Sequence, residues 1–459
     1  MLNSGQLEQL ARLLEGDKLL SDPAQCHAYG YDNSRRQGRP DAVVFPSSHR
    51  AVLEVVRFCN RHRLPLIARG RGTGTTGATV PVDGGIVLSS ENLDKTLRID
   101  PDNRCAVVEP GVTNQRLQQA AGAHGFFWPP DPTSAAFCSI GGNLAYNSAG
   151  PRAVKYGTPR ENTLGLRAVT GAGDEIRTGS YTTKSVVGYD LTRLLIGSEG
   201  TLAIITEATL KLTPLQAAKR TLRAIYRDIH HAARAVAAIM AQPLTPCALE
   251  FIDGQAIAMV RKFSRAELPA QAGALLMIEV DGPESSLEEA CQAITEAAGN
   301  AGLLSLEQAR DPQQAAALWA TRKALSPALR NVAPKKINED VVVPVSRMPA
   351  LIEALERLSR KYQVTIVNFG HAGNGNIHVN LLVDPDDAEQ MRRAEHCLDA
   401  VFELVLRLDG SISGEHGIGL VKRDFVAREI DPASLALMRA IKRQFDPLGI
   451  LNPHKTLPE

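Results

Sequence analysis

The run NFGHAGNGNIHVN from Asn368 to Asn380, followed at Ser413 by SGEHGIG, carries the residues best suited to chemistry. His371 and His378 flank a glycine-rich turn, and Glu415 and His416 sit side by side in a second one. Two histidines and a carboxylate with an open position suit a catalytic zinc or another divalent transition metal. His416 is then left to move a proton, and an unperturbed pKa of about 6.5 keeps it mostly neutral at working pH. Adjacent Glu415 and His416 can take different roles only if the backbone turns between them, which Gly414 and Gly417 make easy. On these residues alone, a hydrolase that activates water is as compatible as a redox enzyme.

The elements around them must bring these turns together. Apolar alternation predicts a strand over Ile377 to Val383, with His378 and Asn380 on one face. Farther upstream, Ala42 to Phe45 reads as a buried strand. Val52, Val55, Val56 and Cys59 recur at helical spacing behind a Ser47 or Ser48 cap, and a second strand follows at Leu64 to Ala68, completing a βαβ unit. Strands are expected at Ile86 to Leu88, Arg104 to Glu109 and Leu164 to Thr170, with a helix at Gln115 to Ala123. After Pro214 the glycine density falls and strand-helix pairs repeat: Leu222 to Tyr226 with His230 to Ala241, Leu275 to Val280 with Ser286 to Ala298, and Asp340 to Val345 with Met348 to Lys361. This pattern suits an antiparallel sheet covered by helices.

The chain has 459 residues, which exceeds the size at which one core stops growing and implies two domains of roughly 200 residues each. The boundary is placed between 217 and 218. A net charge of +1 gives no field for nucleic acid. Seven scattered cysteines without a CxxC pair argue against a disulfide framework and a thiolate zinc site. The amphipathic first residues read as a folded helix, and no apolar run approaches the roughly 20 residues of a membrane span. A cytoplasmic protein is expected, with any membrane association peripheral, at the inner membrane.

Gly72, Gly74 and Gly77 satisfy GxGxxG after a predicted strand, yet Pro81, Gly84 and Gly85 break the helix that a Rossmann fold requires next. RGRGTGTT, Arg69 to Thr76, suits instead a backbone nest for a diphosphate. PPDPTS from Pro129, IGGNLAYNSAG from Ile140 and GSEGT from Gly197 add tight, unbulky turns, as if several loops wrapped one flat, phosphate-bearing ligand.

With these four motifs in order, the first domain resembles the FAD-binding domain of the vanillyl-alcohol oxidase type. The resemblance implies an α+β, two-domain flavoprotein. Arg69, Gly70, Arg71, Gly72, Thr73, Gly74 and Thr75 would hold the FAD diphosphate. Pro130, Asp131, Ser134, Gly141, Gly142, Asn143, Asn147 and Gly150 would line the flavin and ribityl regions, with Gly200 and Ile205 near the adenine. No histidine stands in the first glycine loop to tether the flavin, which implies noncovalent FAD. The region 218–459 resembles the substrate domain of the FAD-linked D-2-hydroxy acid dehydrogenases, an antiparallel sheet with helices whose C-terminal tail returns to the flavin through Asn452. In the tail motif GILNPHK, His454 stands where glycine is common and is expected to face solvent.

That resemblance implies a metal on His371, His378 and Glu415 that binds the substrate hydroxyl, His416 as proton acceptor, and hydride transfer to flavin N5. Asn380 would hydrogen-bond the substrate. Arg322, in WATRK, would clamp its carboxylate, with Ser326 one helical turn further on. Lys335 and Lys336 lie one or two residues off the register of the lysine that diacid enzymes use. The expected reaction is oxidation of a small D-2-hydroxy acid, D-lactate or glycolate ahead of D-2-hydroxyglutarate. Electrons would pass to a separate acceptor, such as an electron-transfer flavoprotein, quinone or cytochrome, and a homodimer is compatible with the sequence. A noncatalytic FAD-binding electron-relay subunit and a metal-free sugar oxidase of the same fold are the alternatives.

Overall fold

Short apolar runs separated by glycines fold as strands in the N-terminal part of this computed structural model, which describes residues 2–14, 16–263, 268–323 and 334–458. The chain divides into two units, the first made of Met1–Gly150, Gly157–Leu215 and Glu415–Glu459, the second of Pro151–Tyr156 and Gln216–Gly414. The sequence reading placed 415–459 with the second domain. In the structure that segment packs within the first unit, while Pro151–Tyr156 packs within the second.

In the first unit, β1 (Lys18–Leu20), β2 (Ala42–Phe45), β3 (Leu66–Arg69) and β4 (Ile86–Ser89) form a sheet in the order β1-β2-β4-β3. The helix His49–His62 joins β2 to β3, and β4 pairs parallel with both. Ser48 caps that helix by accepting from the Ala51 amide at 3.2 Å, and Val52, Val55, Val56 and Cys59 form its buried stripe. A second sheet contains β5 (Thr96–Asp100), β6 (Cys105–Val108), β8 (Thr163–Thr170), β9 (Glu175–Gly179) and β10 (Ala203–Lys211), in the order β5-β6-β10-β8-β9, all antiparallel. A small ribbon pairs β7 (Phe126–Phe127) with β11 (Thr213–Pro214). Trp128, fully buried among Val108, Leu117, Leu144 and Leu195, donates its indole N–H to the Asn162 carbonyl at 2.9 Å.

No helix follows the GxGxxG loop, as Pro81 and the glycine pair dictate. The segment IGGNLAYNSAG differs from the expected turn. Ile140–Tyr146 is a short helix, because the Ser139 hydroxyl caps it at the Gly142 amide and Asn147 ends it in the left-handed conformation at φ 55°.

The second unit is one seven-stranded antiparallel sheet made of β12 (Ala218–Tyr226), β13 (Ala248–Asp253), β14 (Ala274–Gly282), β15 (Leu303–Gln308), β16 (Lys335–Val342), β17 (Thr365–Gly370) and β18 (Asn376–Val383). Its order is β15-β12-β14-β13-β17-β18-β16. The expected strand-helix pairs are present, with helices Ile229–Ala241, Glu284–Ala298 and Met348–Tyr362 after β12, β14 and β16. One face packs Ile225, Ile252, Met277, Val367, Phe369 and Leu382 into an apolar cluster with Ile257 and Leu318.

Candidate functional site

In the first unit, small residues leave an open cleft lined by Ala68, Gly70, Ala78, Gly141, Gly142, Ala145, Gly200 and Ala203 among others. The lack of bulk along it suits an extended ligand that approaches the backbone closely. Of the expected flavin ligands, Arg69, Gly70, Gly141, Gly142, Gly200, Ile205 and Asn452 line it. The glycines there are steric necessities. A Cβ at Gly141 would lie 2.6 Å from Pro110 Cβ, and one at Gly70 would lie 2.4 Å from the Ser139 hydroxyl. Tyr146 also lines the cavity, with its ring and hydroxyl against Gly74, and burial pushes its hydroxyl pKa up. The chemistry and shape of this lining fit FAD.

Other expected flavin residues shape the surrounding loops. Arg69 donates to the Tyr31 carbonyl at 2.8 Å and the Thr79 hydroxyl at 3.3 Å, so its guanidinium braces the glycine loop. Arg71 reaches Glu91 at 3.5 Å. Gly72 adopts φ 65° with its Cα against the Arg69 guanidinium, and Gly74 lies against Tyr146. The Thr73 carbonyl accepts from Asn33 Nδ2, and Thr75 completes the same loop. Pro130 and Ser134 accept through their carbonyls from Asn114 Nδ2 and the Cys138 amide, and the Asp131 amide donates to Ala149. Asn143 pairs with Asn114 at 3.3 Å, and Asn147 Oδ1 accepts from the Arg160 amide at 3.1 Å. Gly150 donates its amide to Glu415 Oε2 at 3.0 Å. The His416 carbonyl accepts from Thr76 Oγ1 at 3.2 Å, so the EHG turn is anchored to the glycine loop inside this unit.

Sequence reasoning missed Glu199. It is buried and left-handed at φ 53°, and it accepts from the Ile418 and Gly419 amides and the Thr456 hydroxyl. Burial pushes its carboxyl up despite those donors.

In the second unit, β17 runs into His371, and a turn with Gly375 at φ 70° returns the chain along β18 to His378. The two imidazoles meet edge to face with centroids 5.3 Å apart, both nearly buried. Glu250, on β13, was not foreseen. It is 1% exposed; His371 Nδ1 approaches its Oε1 at 2.5 Å, and Arg322 Nε donates to its Oε2 at 2.7 Å. Burial alone would raise the Glu250 carboxyl, but His371 and Arg322 outweigh it and hold the group below the usual range. A neutral His371 that donates from Nδ1 keeps its lone pair on Nε2, the arrangement of a metal-ligating histidine backed by a carboxylate. The signal available in the sequence was a carboxylate, Glu250, enclosed by apolar residues in the run ALEFI.

Arg322 also stacks over Phe369 at 4.9 Å. Asn380 is fully buried and donates to the Val367 and His378 carbonyls at 3.0 and 2.9 Å. In the β16–β18 register Asp340 opposes His378, Asn338 opposes Asn380 and Lys336 opposes Leu382, so Lys336 shares their face while Lys335, opposite Val383, does not. Asp340 accepts from the Gly414 amide at 2.7 Å, fixing the last residue before Glu415. Ser326 lies outside the described residues. Among the described residues, no helix is long and apolar enough to cross a membrane.

Comparison with known proteins matches residues 40–179 to the FAD binding domain family and residues 215–456 to the C-terminal domain of FAD linked oxidases. The chain is 37% identical to the glycolate oxidase subunit GlcD of Bacillus subtilis, over 99% of this chain and 97% of that one. It is 33% identical to a D-2-hydroxyglutarate dehydrogenase of Stutzerimonas stutzeri, over 99% of both. Among solved structures, p-cresol methylhydroxylase superposes with a TM-score of 0.82 at 19% identity, covering 99% of this chain and 97% of the other, a likeness of fold.

Proposed function

Because the chain belongs to the FAD-linked oxidases and is an oxidoreductase with the two-domain vanillyl-alcohol oxidase type of fold, we propose that it oxidises a small D-2-hydroxy acid to the 2-oxo acid. D-lactate and glycolate are the preferred substrates. The observation that carries this reading is Glu250, which holds a ligand-type histidine and a carboxylate-binding arginine with one buried side chain. With Nε spent on Glu250, the Nη groups of Arg322 are left to clamp the substrate carboxylate. Asn380, beside His378 on β18, spends both amide N–H groups on the Val367 and His378 carbonyls, which leaves its Oδ1 to accept from the substrate.

The donor set His371, His378 and Glu415 fits zinc or another divalent transition metal. Support comes from the edge-to-face imidazoles and from chain continuity, since Glu415 follows Gly414, which is bonded to the register partner of His378. When bound, such an ion would acidify the substrate hydroxyl, and noncovalent FAD would accept two electrons. His416 takes the hydroxyl proton. Electrons leave to a separate acceptor of the electron-transfer flavoprotein, quinone or cytochrome class. A second reading, D-2-hydroxyglutarate, is favoured by Lys336, a cation on the face that carries His378 and Asn380.

Anaerobic bleaching of the flavin across D- and L-2-hydroxy acids, monoacids and diacids, tests the reading. Fast bleaching with short D-acids that is lost after chelation is expected. Activity that survives complete removal of metal would overturn it. In the same assay His416→Ala is expected to purify yellow and to bleach about 10²- to 10⁴-fold more slowly, and bleaching at the parental rate would remove the base assignment.

A further inference from the structure

One buried ammonium in the first unit holds two of the residues that line the cavity. Lys455 Nζ donates to the Ala78 carbonyl at 2.9 Å and to Asn452 Oδ1 at 2.8 Å, and both Ala78 and Asn452 face the cavity. Asn452 in turn donates its amide N–H to the Glu199 carbonyl at 2.6 Å, so its head group is fixed from both sides. Lys455 is 4% exposed, and burial brings its pKa down to about 7 although the carboxylates of Asp32, Asp83 and Glu199 favour its charge.

The backbone that delivers this lysine is itself unfavourable. Asn452, His454 and Thr456 adopt φ of 48°, 58° and 68°, a left-handed region that L-residues avoid. Such a conformation persists only where the surroundings over-determine it. Here the Asn452 amide donates to the Leu66 carbonyl at 3.0 Å, the Thr456 amide to Gly419 at 3.0 Å, and Arg423 Nη1 to the His454 carbonyl at 2.7 Å. A chain that needed only to cover a core would gain by using an apolar side chain at this position, since a buried charge is a poor source of stability. The lysine therefore calls for another account, and its two acceptors supply one.

We infer that Lys455 is a positioning residue for the flavin, its ammonium holding Asn452 and the Ala78 end of the glycine loop in the shape that admits the cofactor. The inference rests on the reading of this cavity as the FAD site. The full-length protein is stripped of flavin and titrated with FAD, following fluorescence and the visible spectrum of the bound form. Lys455→Met is expected to weaken FAD binding about tenfold, equivalent to about 1.4 kcal/mol, and to shift the flavin absorption bands. The shift of the flavin bands is the readout that loss of a merely structural contact would not give. Because the lysine acts through Asn452, adding Lys455→Met to Asn452→Ala should cost less than about threefold more.

A parental FAD Kd in Lys455→Met, or losses that multiply in the double variant, would overturn the inference. If Lys455→Met does not fold, Asn452→Ala decides, and unchanged FAD affinity there has the same force. Gly142→Val, which adds bulk at the cavity lining, separates the two readings. Retention of FAD by that variant removes the cavity as the flavin site and the lysine's role with it, whereas its loss of FAD beside a parental Kd in Lys455→Met sinks the lysine alone.

Discussion

The cavity of the first unit and the histidine face of the second unit are built by opposite means. The first is built from absent side chains: Gly70, Gly141, Gly142 and Gly200 leave room, and backbone groups of tight turns are left to meet a large ligand. The second is built from fixed charge, with Glu250 buried between His371 and Arg322. An extended cofactor can be recognised by shape over many atoms, whereas a small acid offers few atoms and must be held by strong, directed groups. The difference teaches where each region is vulnerable. The first should fail by overfilling, and the second by losing a partner.

The largest effect is expected from Glu250→Ala. It leaves the Arg322 guanidinium buried without its carboxylate and should destabilise the second unit by about 3–5 kcal/mol, measured by urea unfolding. A loss below about 1 kcal/mol would show that solvent reaches this network and would remove the contrast with the first unit. Gly141→Ala sharpens the other side. Its new Cβ meets the Pro110 ring at 2.6 Å, where neither partner can swing away. A cost of about 1–3 kcal/mol is expected, together with weaker FAD retention on gel filtration, and a fully yellow protein of parental stability would refute overfilling as the weakness. The smallest effect is expected from His454→Gly, which relieves a left-handed residue at φ 58° and should raise the melting temperature by a few degrees, about 1 kcal/mol. A fall would mean that the long contact of its ring with Asp83, at 3.8 Å, matters more than the backbone.

His454 also explains a sequence oddity. Glycine is expected in this tail motif because the position requires positive φ, and this chain keeps the conformation without the glycine. The ring is exposed, as the sequence reading had it. Lys455, next to it, passed unnoticed, since nothing in a linear pattern distinguishes a buried lysine from a solvated one.

Much of the architecture was legible because local patterns carry it. The βαβ start follows from period-2 and period-3.6 apolar spacing with a Ser48 cap, and the failure of GxGxxG to open a helix follows from Pro81 and Gly84. The paired histidines on a glycine turn were equally visible, since glycine's positive φ makes the return and strand alternation sets the face of His378. The sequence by itself therefore determined the two-part design, the flavin-type loops and which side chains are candidates for the chemistry.

Only the tertiary structure decided which charges face one another. Glu250, Glu199 and Asp340 lie tens to hundreds of residues from their partners, as Lys455 does from Ala78, and a carboxylate in a strand has the same local pattern whether it meets water or an arginine. That the whole of 415–459, and not only the tail at Asn452, packs within the first unit was hidden for the same reason. Amide bonds from Ile418 and Gly419 to Glu199, and from Asn452 to Leu66, are long-range backbone pairings that carry no signature in the residues that make them.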